Sequence, residues 1–297
     1  MAPRFDCVFV GMSTVDVLAL LDRPIREDEK IDAQQVVVDG GGPAGTAACA
    51  AARCGLKTAV LSCIGRDLWS RFILEGFRRF SVSTRFIQMA PALSTPVSLI
   101  AVNRRNASRT ILWNSRSVGK WRVPLPSLLR QGLLNTHCLH FDGHLMELSV
   151  RLAKLARAQG ILTSYDCGSA QPGWQTLAAL SDVFIASHKF VHQLGLPIAQ
   201  ALRSWRRRFG FHAAVTAGEK GFYYFAESSG RVEHVSQRHY PALDTTGCGD
   251  VFHGAFLAHY LKSHDLPAAL RFAQAVAGEK TRRMGGRAGI TMPRRTF

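Results

Sequence analysis

Asp244-Thr245-Thr246-Gly247-Cys248-Gly249-Asp250 runs straight into a segment of helical period, Val251 to Lys262. Gly247 and Gly249 permit a tight turn that aims successive backbone N–H groups at one point, and the start of a helix adds the positive end of its dipole. Such a turn is an anion site. A carboxylate at its end is out of place electrostatically unless Asp250 serves a hydroxyl that attacks a bound phosphoryl group, so its natural role is general base. Taken alone, the stretch also reads as a plain glycine turn with Asp250 as a capping carboxylate.

A second glycine turn accompanies it. Asp39-Gly40-Gly41-Gly42-Pro43-Ala44-Gly45-Thr46-Ala47 again leads glycines into a helix, here one of small residues that can pack tightly, with Pro43 suited to its first turn. Around the two turns, short runs of Val, Ile and Phe alternate with helical segments, the pattern of a parallel sheet covered by helices. Expected strands are Cys7 to Gly11, Thr58 to Cys63, His137 to Phe141, Ile161 to Asp166, Val183 to Ala186 and His212 to Thr216. Expected helices are Ala44 to Cys54, Leu68 to Phe80 and Glu147 to Gln159. The fold class is α/β. Residues 14–39 and 94–114 break the alternation with strand-like patterning and predict a small separate sheet at the mouth of the first glycine turn. No repeat or linker divides the chain, so residues 1–297 read as one domain.

With 297 residues, 47% of them hydrophobic and 20% charged, the chain has ample material for a buried core, which excludes a disordered protein. The formal net charge of +16 is mostly arginine and spread along the chain. Its densest clusters, Arg203/Arg206/Arg207/Arg208 and the tail from Arg282 to Arg295, read as solvated surface, and no specific nucleic-acid partner is expected. Seven scattered cysteines without a CxxC pair read as reduced core thiols. No apolar run of about 18 residues appears, and the opening stretch is too short for a signal peptide, which predicts a cytoplasmic protein off the membrane. His137, His140 and His144 lie on or just after one strand, and no third ligand with a carboxylate completes a metal site in the sequence.

The two glycine turns together resemble the two signatures of the ribokinase-like (PfkB) family of carbohydrate kinases. Gly40 to Gly55 matches the N-terminal one, and residues 244–256, DTTGCGDVFHGAF, match the more specific C-terminal one. Gly11 and Asp16, then residues 216–221 (TAGEKG) and 285–290 (GGRAGI), follow in the family's order, so the resemblance covers nearly the whole chain. It implies a three-layer α/β/α, Rossmann-like sandwich with a small β-sheet lid from 14–39 and 94–114, and a homodimer paired through that lid. It implies an ATP-dependent sugar kinase using Mg²⁺, with Asp250 as the base and the amides of Gly247, Cys248 and Gly249 as an anion hole for the γ-phosphate. Asp16, Gly41 and Gly42 are similar to the residues that hold sugar hydroxyls, although Asp16 unaided reads as a turn residue. Thr216, Gly218, Gly221, Ser187 and Gly286 resemble nucleotide-binding positions. The stretches around Asp244 and Thr246, and 285–289, resemble loops that in many relatives hold K⁺ through backbone oxygens.

The sequence also departs from the family pattern. Gly45 stands where many relatives have asparagine, removing one sugar contact, and the stretch 187–190 lacks the asparagine and glutamate of the NxxE motif that supports Mg²⁺. The glycine-rich start, the DVFHGA run and the GGRAGI tail look most like the branch that includes sulfofructose kinase. There Lys30 and Asn114 sit where that branch places anion-facing groups, while its arginine is absent from Asp142-Gly143-His144. A nucleoside kinase of the same fold, and a catalytically weak nucleotide-binding relative, are the rival readings.

Overall fold

Runs of Val, Ile and Phe too apolar to face water on either side form the central strands of the computed structural model, which describes residues 4–114, 121 and 123–291. Residues 292–295 of the basic tail lie outside the described residues. The chain opens with β1 (Phe5–Val10), β2 (Thr14–Leu21) and β3 (Gln35–Gly41), which leads through the first glycine turn into α1 (Pro43–Arg53) and β4 (Thr58–Leu61). Two-residue strands β5 (Cys63–Ile64) and β6 (Gln88–Met89) bracket α2 (Leu68–Arg79), and β7 (Val97–Asn103) and β8 (Arg109–Trp113) form a hairpin. There follow α3 (Leu125–Arg130), β9 (Thr136–Phe141), α4 (Met146–Ala158), β10 (Leu162–Cys167), α5 (Trp174–Ala178), β11 (Val183–Ser187), α6 (His188–Gln193), α7 (Ile198–Phe209) and β12 (His212–Thr216). The last part carries β13 (Phe222–Ala226), β14 (Arg231–Val235), α8 (Cys248–Ser263) and α9 (Leu266–Lys280).

The main sheet has the order β14-β13-β12-β11-β10-β9-β1-β4, parallel from β4 to β12 and closed by the antiparallel β13 and β14. Alternate residues of each strand feed two cores. Cys7, Phe9, Val60 and Ile185 pack against α1, α2, α8 and α9, whereas Val8, Leu139, Phe141 and Phe184 pack against α3 to α7. Helices thus cover both faces, giving the expected three layers. The strand order reverses around β1, and the carboxyl ends of parallel strands beside such a reversal are where α/β folds build ligand crevices.

A second sheet, β3-β2-β7-β8, stands apart. Leu18, Leu20, Ile100 and Val102 on one face enclose Met284. Val36, Val38, Leu99, Ile111 and Leu112 are exposed elsewhere on the sheet. Sequence and structure differ in several places, among them the helices α3, α5, α6 and α7, which the sequence reading did not place. The expected strand Thr58 to Cys63 stops at Leu61 and restarts as β5, whose partner is β6 rather than the main sheet. The hairpin β13–β14 and the long α9 were not anticipated. Alternation in β13 buries Phe222, Tyr224 and Ala226 on one face only, the half-buried pattern of an antiparallel strand near a sheet edge.

Candidate active site

The second glycine turn sits at the amino end of α8. Gly247 is its N-cap with φ of 72°, no side chain caps the helix, and Val251 N donates to Gly247 O at 2.9 Å. Amides ahead of Val251 in this first turn have no partner within the helix, although Cys248 N donates to Thr245 O just ahead of it at 3.3 Å. A Cβ added at Gly249 would meet nothing within 4 Å, so the turn opens onto free space. Gly254 brings the two glycine turns together: a Cβ there would lie 2.2 Å from Ala47 O, and its absence lets α8 press against α1. Gly286 sits between the turns, its Cβ position 3.5 Å from Gly40 O and 3.7 Å from Thr46 Oγ1. The buried hydroxyls of Ser13, Thr46 and Thr246 have no protein partner.

Asp250 lies in the first turn of α8 and is half-buried. Burial, reinforced by the negative charge of Asp166, pushes its carboxyl up to about 7, against the pull of His253 and Arg109. A carboxylate poised near neutrality suits proton abstraction at physiological pH. Cys248 beside it is held as the thiol, because burial raises its pKa, and its Sγ donates to Ala277 O at 3.7 Å. That disfavours oxidation.

Asp16, near the start of β2, is buried and accepts from Thr14 Oγ1 at 2.8 Å. Burial raises its pKa, opposed by Thr14, by the charge of Arg287 and by Ser98. The carboxylate lies over Gly41, whose added Cβ would be 2.1 Å from Asp16 Oδ2. Gly42, with φ of 81°, passes so close to Met12 that a Cβ would lie 2.6 Å from its carbonyl oxygen. Asp142 ties this corner to the end of β9. It accepts from Met12 N at 2.8 Å, Ala44 N at 3.2 Å and His144 N at 3.0 Å, and a Cβ on Gly11 would strike its carboxylate at 2.1 Å. Burial alone would raise the Asp142 pKa, but the His144 charge 3.4 Å away and these hydrogen bonds lower it, and in return His144 is raised despite its own burial.

Arg287 is the residue sequence reasoning missed. Only 1% exposed, it crosses beneath the first turn, donates from Nη2 to Gly41 O at 2.6 Å and stacks 4.7 Å above the Phe77 ring. Its backbone N donates to Asp39 Oδ2 at 2.8 Å. Cβ atoms at Gly40 and Gly45 would come within 2.3 and 2.5 Å of its guanidinium nitrogens. The space that a side chain at position 45 would occupy is therefore taken by an arginine from the other end of the sequence. Its Nε and Nη1 have no hydrogen-bond partner.

The remaining expected residues scatter around this centre. Ser187 and Thr216 face one another across β11 and β12, and Ser187 Oγ accepts from Phe190 N at 3.0 Å while donating to Gly168 O at 2.8 Å. Gly218 and Gly221 take φ of 57° and 92°, and Gly221 admits no side chain, since a Cβ would lie 1.9 Å from Val235 O. Asn114 follows Trp113, which is 47% exposed and meets His144 edge-on at 6.1 Å, whereas Trp121 is buried. Lys30 is exposed in the loop between β2 and β3, with no hydrogen bond or ion pair among the described residues. The β7–β8 hairpin reaches the anion turn: Arg109 Nη1 donates to Thr245 Oγ1 at 2.9 Å, and Thr245 Oγ1 donates to Ala107 O at 2.9 Å.

Asp244 accepts from Thr246 N at 2.8 Å and from Gly285 N at 2.9 Å. The carbonyls of Asp244 and Thr246, expected at a K⁺ site, both accept from the buried ammonium of Lys280. Residues 187–190 offer Mg²⁺ no carboxylate, so phosphate oxygens and water would supply most of its shell. Behind Asp250, His140, Asp166 and His253 bring one ligand atom each within 4.8 Å of one another, a spacing that could hold a metal ion; three elements far apart in sequence supply them, which is why the sequence showed no third ligand. Among the described residues all seven cysteines are free, and all but Cys248 are buried.

Comparison with known proteins accords with this geometry. The chain is 24% identical over 285 residues to a ribokinase of Haemophilus influenzae, covering 92% of this chain and 90% of the relative. It is 25% identical over 285 residues to a deoxyribokinase of Salmonella typhi, covering 90% of each. The fold superposes with a TM-score of 0.82 on the structure of Arabidopsis thaliana ribokinase complexed with ribose and ATP, at 21% identity over 98% of this chain and 96% of that one. The model of the pfkB family carbohydrate kinases matches residues 4–293. That match spans nearly the whole chain, both glycine turns included: the chain belongs to the pfkB family of carbohydrate kinases, phosphotransferases acting on a hydroxyl group.

Proposed function

We propose that this kinase transfers the γ-phosphoryl group of ATP to a hydroxyl of a small sugar or sugar acid. The observation that carries the reading is Asp250, raised to about 7 in the first turn of a helix and next to Gly249, where an added Cβ would meet nothing within 4 Å. The acceptor's diol rests on Asp16 and the backbone of Gly41 and Gly42, with Lys30 and Asn114 as outer polar groups. The adenine nucleotide lies along Ser187, Thr216, Gly218, Gly221 and Gly286. Mg²⁺ arrives with the nucleotide and offsets phosphate charge.

Asp250 takes the hydroxyl proton as the acceptor oxygen approaches the γ-phosphorus. The amides of Gly247, Cys248 and Gly249 stabilise charge on the equatorial oxygens, and ADP leaves. Because such a transition state is largely dissociative, positioning and charge neutralisation supply most of the rate. The second sheet acts as a lid, attached to the anion turn through Arg109 and Thr245. Its exposed Val36, Val38, Leu99 and Leu112, on the face away from Met284, form the surface through which two copies pair. No described helix is long and apolar enough to cross a membrane.

An ADP-release assay over monosaccharides, ketosugars, sugar acids, sulfosugars and nucleosides tests the reading. Turnover with a sugar, abolished in Asp250→Asn, is the expected result. Preference for nucleosides would replace it with a nucleoside kinase, and nucleotide binding without ADP release for any acceptor would mark a catalytically weak relative.

A further inference from the structure

Lys280 is the last residue of α9 and has no exposed surface. A buried ammonium is costly unless it is fully paired, so its surroundings show what it is there for. Its Nζ donates to Asp244 O at 3.1 Å and, more closely, to Thr246 O, and it stands 3.8 Å from the Asp244 carboxylate. That carboxylate in turn fixes Thr246 N and Gly285 N. The backbone closes around the same point, since Leu243 N and Asp244 N donate to Thr281 O at 2.8 and 3.0 Å. A Cβ on Gly289 would lie 2.5 Å from Lys280 O and 3.2 Å from its Cγ. One positive charge thus organises residues 244–246 and 285–289, and the first of these stretches is continuous with Gly247.

We propose that the Lys280 ammonium is the resident monovalent cation of this kinase, holding the anion turn in its working shape and making the enzyme indifferent to K⁺. The inference rests on the kinase reading for its catalytic consequence but not for its structural one. The charge a bound ion would contribute is already present, tethered, and engaged with carbonyls of that stretch. A second cation beside it would be repelled in a site of low dielectric. Lys280 touches no reacting atom and is a positioning residue.

Thermal unfolding and nucleotide binding, measured in KCl, NaCl and tetramethylammonium chloride at equal ionic strength, test this on the wild-type protein, Lys280→Ala and Lys280→Met. The wild type is expected to give the same Tm, and the same affinity for a non-hydrolysable ATP analogue within about twofold, in all three salts. Lys280→Ala vacates the ammonium position, so its Tm and nucleotide affinity should be restored by K⁺ saturably and more than by Na⁺. Lys280→Met, which fills the space without charge, should not respond. With an acceptor identified, turnover should follow the same pattern, falling about tenfold or more in Lys280→Ala without K⁺. A specific K⁺-dependent rise in Tm, affinity or rate in the wild type would overturn the proposal, as would an Ala variant that behaves like wild type in K⁺-free buffer. Should Lys280→Ala not fold, the wild-type salt series still decides. Because Tm requires neither substrate, a failure of the kinase reading remains distinguishable from a failure of this one.

Discussion

The two glycine turns look alike in sequence and do opposite things in space. At residues 40–45 every missing Cβ makes room for protein: Arg287 fills the volume beside Gly40 and Gly45, the Asp16 carboxylate covers Gly41, and the Met12 carbonyl crowds Gly42. At Gly249 the missing side chain leaves open space. The first set of glycines therefore builds a rigid floor under charged groups, whereas in the second turn Gly247 packs against Gly286 and only Gly249 stands open. A glycine-rich stretch does not say by itself whether a ligand or the rest of the chain occupies the space.

The comparison can be broken or sharpened by substitution. The largest effect is expected at Asp250, where Asp250→Asn should lower kcat about 10³-fold or more while leaving ATP affinity within a few-fold, as separate kinetic and calorimetric measurements would show. Next comes Gly41→Ala, which drives a methyl group into the Asp16 carboxylate and should cost about 1–3 kcal/mol in denaturant unfolding together with most of the sugar affinity. Arg287→Met removes the cation that opposes the burial-raised pKa of Asp16, and should raise the sugar KM about tenfold, increasingly so as pH falls.

The pH dependence of Asp250 has a definite sign. Its folded carboxyl titrates at about 7, against about 3.9 in an unfolded chain, so folding favours the protonated form. Ionisation then destabilises the native state progressively from about pH 4 to about pH 7. Asp250→Asn should therefore leave Tm unchanged near pH 4 and raise it above neutrality, while wild-type kcat falls about tenfold per pH unit below about 7. The smallest effect belongs to Gly249→Ala, which should leave Tm where it is and lower kcat/KM for ATP about tenfold. A loss of stability there equal to that of Gly41→Ala would erase the distinction between the turns.

Much of this was legible in sequence because it is local. Parallel strands announce themselves as apolar runs, and His212 to Thr216 emerges with the expected bounds. The glycine turn that opens α8 could be located because its glycines and carboxylate lie within seven consecutive residues. What could not be read depends on distant partners. Arg287 bonds Asp39 across 248 positions, and Asp142 meets Met12 across 130. Lys280 reads as an ordinary basic residue at a helix end, and only the fold turns its ammonium inward. Gly45 signalled the loss of a side chain but not its replacement by one from the far end of the chain. The β13–β14 hairpin escaped because the turn between Thr216 and Gly221 also suits a nucleotide.

One threonine carries a final consequence. Thr245 accepts from Arg109 and donates to Ala107, so the tip of the β7–β8 hairpin is fastened to the glycine turn at the amino end of α8. A hairpin fastened in this way cannot shift without tugging on that turn, so the two behave as one mechanical unit.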